Sequence, residues 1–145
     1  VITNEVSRWR ELASASHYQT AVAVREELMS GDVEEAIEGI EELIAALSRS
    51  DQRELRSQLV RLMMHIIKWK SQPARRSRSW LASIYNARIE IEILLEAEPV
   101  LKPQVAGLVD TLFVRAERLA EIEMGCNSQV EALTLHEILE EEYEL

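Results

Sequence analysis

The sequence predicts an all-α protein: an antiparallel bundle of about five helices around one long central helix, from about residue 33 to 70. Three observations predict it. Apolar residues recur at steps of three and four along almost the whole chain, the period of a helix with one buried face. Four glycines and three prolines in 145 residues leave little to interrupt those helices. No stretch alternates or is β-branched enough to read as a strand. Chain length is that of one domain, so residues 1–145 are expected to form a single helical domain with short connections.

The elements follow in order. Ile2, Val6, Trp9 and Ala13 form one weak apolar face. Tyr18, Ala21, Val22, Arg25, Leu28 and Met29 continue a helix-like pattern as far as Gly31, a plausible stop. Asp32 is placed to cap the next helix, and Glu35, three residues on, completes the spacing of a capping box. In "VEEAIEGIEELIAAL", Val33, Ile37, Ile40, Ile44 and Leu47 make a stripe at steps of four and three, with Glu34, Glu35, Glu38, Glu41 and Glu42 around it. "SRSD" contains neither Gly nor Pro, which favours one helix running on to about Lys70, where Pro73 ends it. The next helix starts at Ser77–Ser79 and runs to "EPVLKP". Pro103 suits the first turn of another helix, which buries Val105, Leu108, Val109, Leu112, Ala116 and Leu119 and stops at Gly125. "TLHE" at 134–137 is a capping box opening a short last helix. Its carboxyl-terminal acids oppose the helix dipole, so its last turn is expected to fray.

Within residues 54–72 the helical wheel divides sharply. Leu55, Leu59, Leu62, Met63, Ile66, Ile67 and Trp69 fill an arc of roughly 200° at ~100° per residue, which places this segment at the centre of the fold. Gln58, Arg61, His65, Lys68 and Gln72 form one narrow polar stripe. That stripe is either the solvent-facing edge or a buried polar seam in which His65 is held by acids such as Glu38 and Glu41. A carboxylate metal centre in a helical bundle uses Glu-x-x-His on paired helices; here Leu62 precedes His65 and Leu133 precedes His136, so no metal and no cofactor are expected. No nucleophile–base spacing or phosphate loop is legible, and no catalytic residue is assigned.

Charge divides as unevenly as hydropathy. The net charge is -10, yet residues 55–89 contain eight cations and no acid. The remainder therefore holds eight cations and 26 acids, -18, and the two parts sum to -10. No run is apolar enough for a membrane span, and "VITNEVSRWR" lacks the charged start and apolar core of a signal peptide. The lone Cys126 fits a reducing, cytoplasmic setting.

The run "LVRLMMHIIKWKSQPARRSRSWLASIYNARIEIEILLEAEPVLKP" resembles the bacterial family catalogued as Domain of Unknown Function 29. His65, Lys68, Trp69, Gln72, Pro73, Arg75, Arg76, Ser77, Ser79, Trp80, Pro99, Leu101, Lys102 and Pro103 match its pattern in order. Upstream, Ile37, Glu38, Ile40, Glu41, Arg49 and Ser50 resemble a second family segment, and "TLHEILEEEYEL" is similar to its closing one. The resemblance covers about Tyr18 to Leu145, weakens toward residues 1–17, and implies an all-helical fold with no activity attached.

The basic segment Lys68–Trp80 is where a function is expected. Lys68 and Lys70 sit at a helix carboxyl end, which favours cations. Arg75, Arg76 and Arg78 sit at the amino end of the next helix, which disfavours them unless an anion is present. Together with Ser77 and Ser79 they form a candidate anion or partner site. Three anions fit: glutamates of the 34–42 row, within the chain or across a self-associated pair; an acidic protein partner; or a phosphate-bearing ligand, nucleic acid included. Trp69, Pro73 and Trp80 are read as structural anchors, and the acidic remainder opposes a polyanion. The expected function is a non-enzymatic interaction module. Weak nucleic-acid binding and an enzyme using His65 and Glu41 are the alternatives.

Overall fold

The computed structural model describes the backbone of residues 2–145 and side chains from residue 8 onward. Ile2 and Val6, the first members of the expected amino-terminal face, lie outside the described side chains. Among the described residues there are six α-helices, two short 3-10 turns and no strand. The long helix is continuous, Val33–Ser71, as the absence of Gly and Pro at 48–51 predicts. Two compact units divide the chain, residues 1–52 and 53–145, and α3 contributes to both.

In the first unit, α1 (Ile2–Ala15) and α2 (His17–Met29) are separate helices because Ser16 interrupts them. Its backbone is extended, and its hydroxyl accepts from Gln19 N, satisfying a first-turn amide of α2. Gly31 then turns the chain with φ +89°, a left-handed conformation suited to glycine. Asp32 accepts from Glu35 N, so α3 (Val33–Ser71) is capped as expected. The Glu35 carboxylate, however, accepts from Trp9 Nε1 at 2.7 Å and Arg8 Nη2 at 2.8 Å.

The core of this unit is small: Trp9, Val24 and Ala36, with Leu12 and Ala23 beside them. α3 enters through its smallest side chains. A Cβ on Gly39 would stand 2.7 Å from Val24 Cγ2 and 2.8 Å from Trp9 Cζ3, so only glycine allows this approach. Ala36, Gly39 and Ala46 are buried. Val33, Ile37, Ile40, Ile44 and Leu47, the stripe expected to face a core, are all exposed. The buried residues each precede a stripe member by one, a rotation of about 100°. Close backbone approach, not side-chain size, selects the buried face.

The second unit has a large core. Leu55, Leu59, Leu62, Met63, Ile66 and Ile67 of α3 are fully buried against α4 (Arg78–Ala97), α5 (Val105–Met124) and the carboxyl-terminal segment. The wide apolar arc is therefore surrounded, as its circumference predicts. α3 ends at Ser71, and Pro73 opens a 3-10 turn, Pro73–Arg75. Ser77 caps α4, its hydroxyl accepting from Trp80 N. "PVLKPQ" forms the second 3-10 turn, so Pro103 lies just before α5. Gly125 closes α5 with φ +71°. In α5, Ala120 is buried while Leu119 is exposed, again one residue off the expected face.

α6 (Leu135–Leu139) opens with the full capping box of Thr134 and Glu137. It is only five residues long and stops at Leu139, before the acidic run, in keeping with the expected fraying of the last turn, yet the chain beyond it is held in place. Ile138 and Tyr143 are buried, and the backbone around them is tied to α4 through Arg88 and Tyr85.

Candidate functional site

The basic segment is a ladder of cations laid on aromatic rings, all within the second unit. Lys68 leaves α3 near its carboxyl end and is buried, which a lysine tolerates only with a partner. Its Nζ lies 3.2 Å from Glu123 Oε1 and 4.6 Å from the centre of the Trp80 ring. Two residues on, Lys70 Nζ lies 2.9 Å from Glu137 Oε2, 3.4 Å from Glu141 Oε2 and 5.7 Å from the Tyr143 ring centre. Arg76 folds back over Trp69, its Cζ 4.9 Å from the ring centre, and its Nε donates to the Trp69 carbonyl at 2.8 Å. That carbonyl lies in the last turn of α3, where intrahelical donors run out. Trp69 in turn meets Tyr143 edge-on at 6.0 Å. Each cation–ring contact contributes ~0.5–2 kcal/mol, more where water is excluded.

Burial and charge act together on the ionisable groups here. Burial works against the Lys70 ammonium, but the Glu137 hydrogen bond and the charges of Glu137 and Glu141 outweigh it and raise its pKa. Glu137 is lowered, first by the Lys70 hydrogen bond and then by the Thr134 backbone. Burial, then the Glu141 charge, keeps the Tyr143 phenol protonated well above its usual range.

Arg88 is the residue that sequence reasoning missed. It sits on α4 and donates to three backbone carbonyls: Ile138 at 2.8 Å, Glu141 at 2.7 Å and Glu137 at 3.0 Å. Tyr143 Oη donates to the same Glu137 carbonyl at 2.7 Å. One guanidinium thus satisfies the carbonyl end of α6, where an acidic turn would otherwise unravel. The signal in the sequence was its isolation: beyond Arg78 at its first position, Arg88 is the one cation of α4, 18 residues from Lys70.

The remaining expected members separate. Arg75 and Arg78 are exposed, and among the described residues neither has a carboxylate within ion-pair distance. Ser77 is used as the α4 cap, while Ser79 is exposed in the first turn, which contains no acid. The row 34–42 does not neutralise these arginines within the chain: Glu35 pairs with Arg8, and Glu42 Oε1 lies 3.7 Å from Arg10. Nor does that row build a seam with His65. Glu38, Glu41, Arg61, His65, Lys68 and Gln72 all belong to or adjoin α3, and residues of one helix meet only at spacings of three or four. His65 Nδ1 lies 2.8 Å from the Arg61 carbonyl, so Nδ1 carries the proton; burial, then Lys68, outweigh that bond and lower its pKa. Gln72 Nε2 reaches Cys126 Sγ at 3.4 Å.

One cleft is lined by Arg8, Trp9, Glu11, Leu12, Ala23 and Glu27, and another by Arg118, Glu121, Ile122, Gly125, Cys126 and Asn127; His65 lines neither. Among the described residues no group of three or more His, Cys, Asp or Glu is placed to hold a metal ion, and no helix is long and apolar enough to cross a membrane. The family model described as "Domain of unknown function DUF29" matches residues 17–144. No curated protein and no solved structure matches the chain.

Proposed function

The chain belongs to the DUF29 family, whose description states no activity, and we propose from its own residues that it is a non-enzymatic interaction module that meets an acidic protein partner through Arg75 and Arg78. One observation carries this reading. Lys68, Lys70, Arg76 and Arg88 each have partners inside the fold, whereas Arg75 and Arg78 stand exposed without a carboxylate among the described residues. The basic segment thus has two roles: Lys68, Lys70 and Arg76, joined by Arg88 of α4, hold the second unit together, and Arg75 and Arg78 are left for a partner. Arg78 occupies the first position of α4, where the helix dipole already repels it. A partner's carboxylate there would meet two guanidinium groups and the dipole at once.

Nucleic acid is the weaker reading. Base stacking needs an open aromatic face, but Trp69 is buried and Trp80 lies half-buried beneath Lys68. An enzymatic role for His65 with Glu41 loses its support because the two do not converge.

Affinity capture from the native cell with the wild type and an Arg75→Ala/Arg78→Ala variant tests the proposal, followed by titration of the purified partner. The expected partner is acidic, is lost with the double variant, and binds less tightly as salt rises. Equal capture by both proteins overturns the reading, and tighter binding to oligonucleotides than to any acidic protein replaces it. Arg78→Glu supplies the folding control. It should abolish binding while stabilising the protein by ~0.3–1 kcal/mol through the helix dipole, a combination that a folding defect cannot produce.

A further inference from the structure

The exposed stripe on the first half of α3 is a continuous apolar feature left uncovered among the described residues of the first unit. Val33, Ile37, Ile40, Ile44 and Leu47 are between 39% and 61% exposed. Together they leave on the order of 400 Å² of apolar surface open, the size at which a patch on a monomer is usually functional. Their 4-3-4-3 spacing is that of the seam of a coiled coil. Small residues on the neighbouring face, Ala36 and Gly39, already take α1 and α2. A further helix a quarter-turn away is the arrangement of a four-helix bundle.

We propose that this stripe is covered by a second copy of the chain, its α3 running antiparallel, so that Ile37 meets the partner's Leu47 and Ile40 meets the partner's Ile44. The occupant and the direction follow from what continues the stripe. The same register runs on without a break through Asp51, Glu54, Gln58, Arg61 and His65. A parallel pair would set Asp51, Glu54 and Arg61 each against its own copy, and like charges directly opposed are destabilising. Antiparallel pairing about a two-fold axis near residue 42 matches Ile37–Leu47 with itself instead. Asp51 then lies opposite the partner's Val33, at the positive amino end of a helix, which favours an acid. Glu54 falls beyond the start of the partner's helix.

Area supports a second copy as well. A stable interface buries ~800 Å² per partner, somewhat over half of it apolar, and the stripe comes close to that apolar share. One unfavourable contact remains, Glu41 beside the partner's Glu41 near the axis, and it sets a sign. Added salt tightens this association by screening that pair, whereas it weakens a contact made through Arg75 and Arg78. The two surfaces are independent, and either can fail without the other.

Sedimentation equilibrium of the full chain, from about 1 to about 100 µM, is the first measurement. The expected result is a monomer–dimer equilibrium that Ile40→Glu weakens at least tenfold with unchanged helical circular dichroism, since Ile40 is not part of the buried core. Direction is read by disulfide cross-linking in a Cys126→Ser background. Ile37→Cys and Leu47→Cys copies should cross-link when mixed, and neither should cross-link alone. A wild type that stays monomeric at the highest concentration overturns the proposal and leaves the stripe to a different helix, such as one with a basic rim. A dimer indifferent to Ile40→Glu, or Ile37→Cys copies that cross-link to one another, overturns it equally.

Discussion

The two halves of α3 carry apolar residues of similar size at the same helical spacing, and they meet opposite fates. Leu55, Leu59, Leu62 and Ile66 are fully buried, whereas Ile37 and Ile44 are 49% and 61% exposed. The difference lies in the width of the apolar arc. In the second half it spans more than half the circumference, so every rotation of the helix buries large side chains. In the first half a narrow stripe of large residues lies beside a row of small ones, and the helix can bury one or the other. It buries the small row, because Gly39 admits Trp9 and Val24 to within about van der Waals contact of its backbone. Periodicity announces a helix with an apolar stripe, but it does not announce which neighbour the stripe will meet.

The largest effect expected from this contrast is in cavity formation. Leu62→Ala should cost ~2–5 kcal/mol, because a filled core cannot close over the lost volume. Ile44→Ala, measured at low protein concentration, should change stability by no more than ~0.5 kcal/mol, the scale of exposed sites. Urea unfolding of the two variants compares them directly, and equal losses would mean that the stripe is buried within one chain.

Glycine reverses the order of the two units. Gly39→Ala should cost ~1–3 kcal/mol, because the added methyl meets side chains already in contact. Gly107, on α5, has nothing within 4 Å of the position of a Cβ, so Gly107→Ala should stabilise by ~0.5–1 kcal/mol through helix propensity alone. Thermal melts of both variants check the pair, and a stabilising Gly39→Ala would refute the close approach of α1, α2 and α3.

A smaller effect is pH-dependent and belongs to the second unit. The lowered pKa of His65 means that the folded state prefers the neutral ring. Stability is therefore intact above the unfolded value of ~6.5 and falls as pH drops through the folded one. Glu137, also lowered, adds a further loss below its ordinary carboxylate range. At the alkaline end the raised Lys70 and Tyr143 act the other way: their contributions hold below ~10 and are lost as pH rises through their folded values. Melting temperatures between pH 7.5 and 4 should show the upper acid step in the wild type and not in His65→Gln.

Much of the site was legible because local chemistry is written in short spacings. The Asp32 cap, the Thr134–Glu137 box, the helix start at Ser77–Ser79 and the stops at Pro73 and Gly125 each depend on residues within four positions. The cations were harder. Lys68 and Lys70 read as helix-end charges needing no partner, yet they hold α5 and the carboxyl-terminal segment. Arg76 read as one of three equivalent arginines, yet it closes over Trp69. The carboxylate partners of the two lysines are 55 to 71 residues away, beyond anything a local pattern can report.

By itself, the sequence determined the helices, their ends and the wide apolar arc that places residues 55–69 at the centre of the second unit, because these follow from period, capping and composition. Only the tertiary structure decided which side of the first half of α3 is covered, which cations turn inward, and that Arg88 secures an acidic tail. Those choices depend on close approach and on groups distant in the chain, where a single Cβ or a single carbonyl outweighs the propensity of a whole segment.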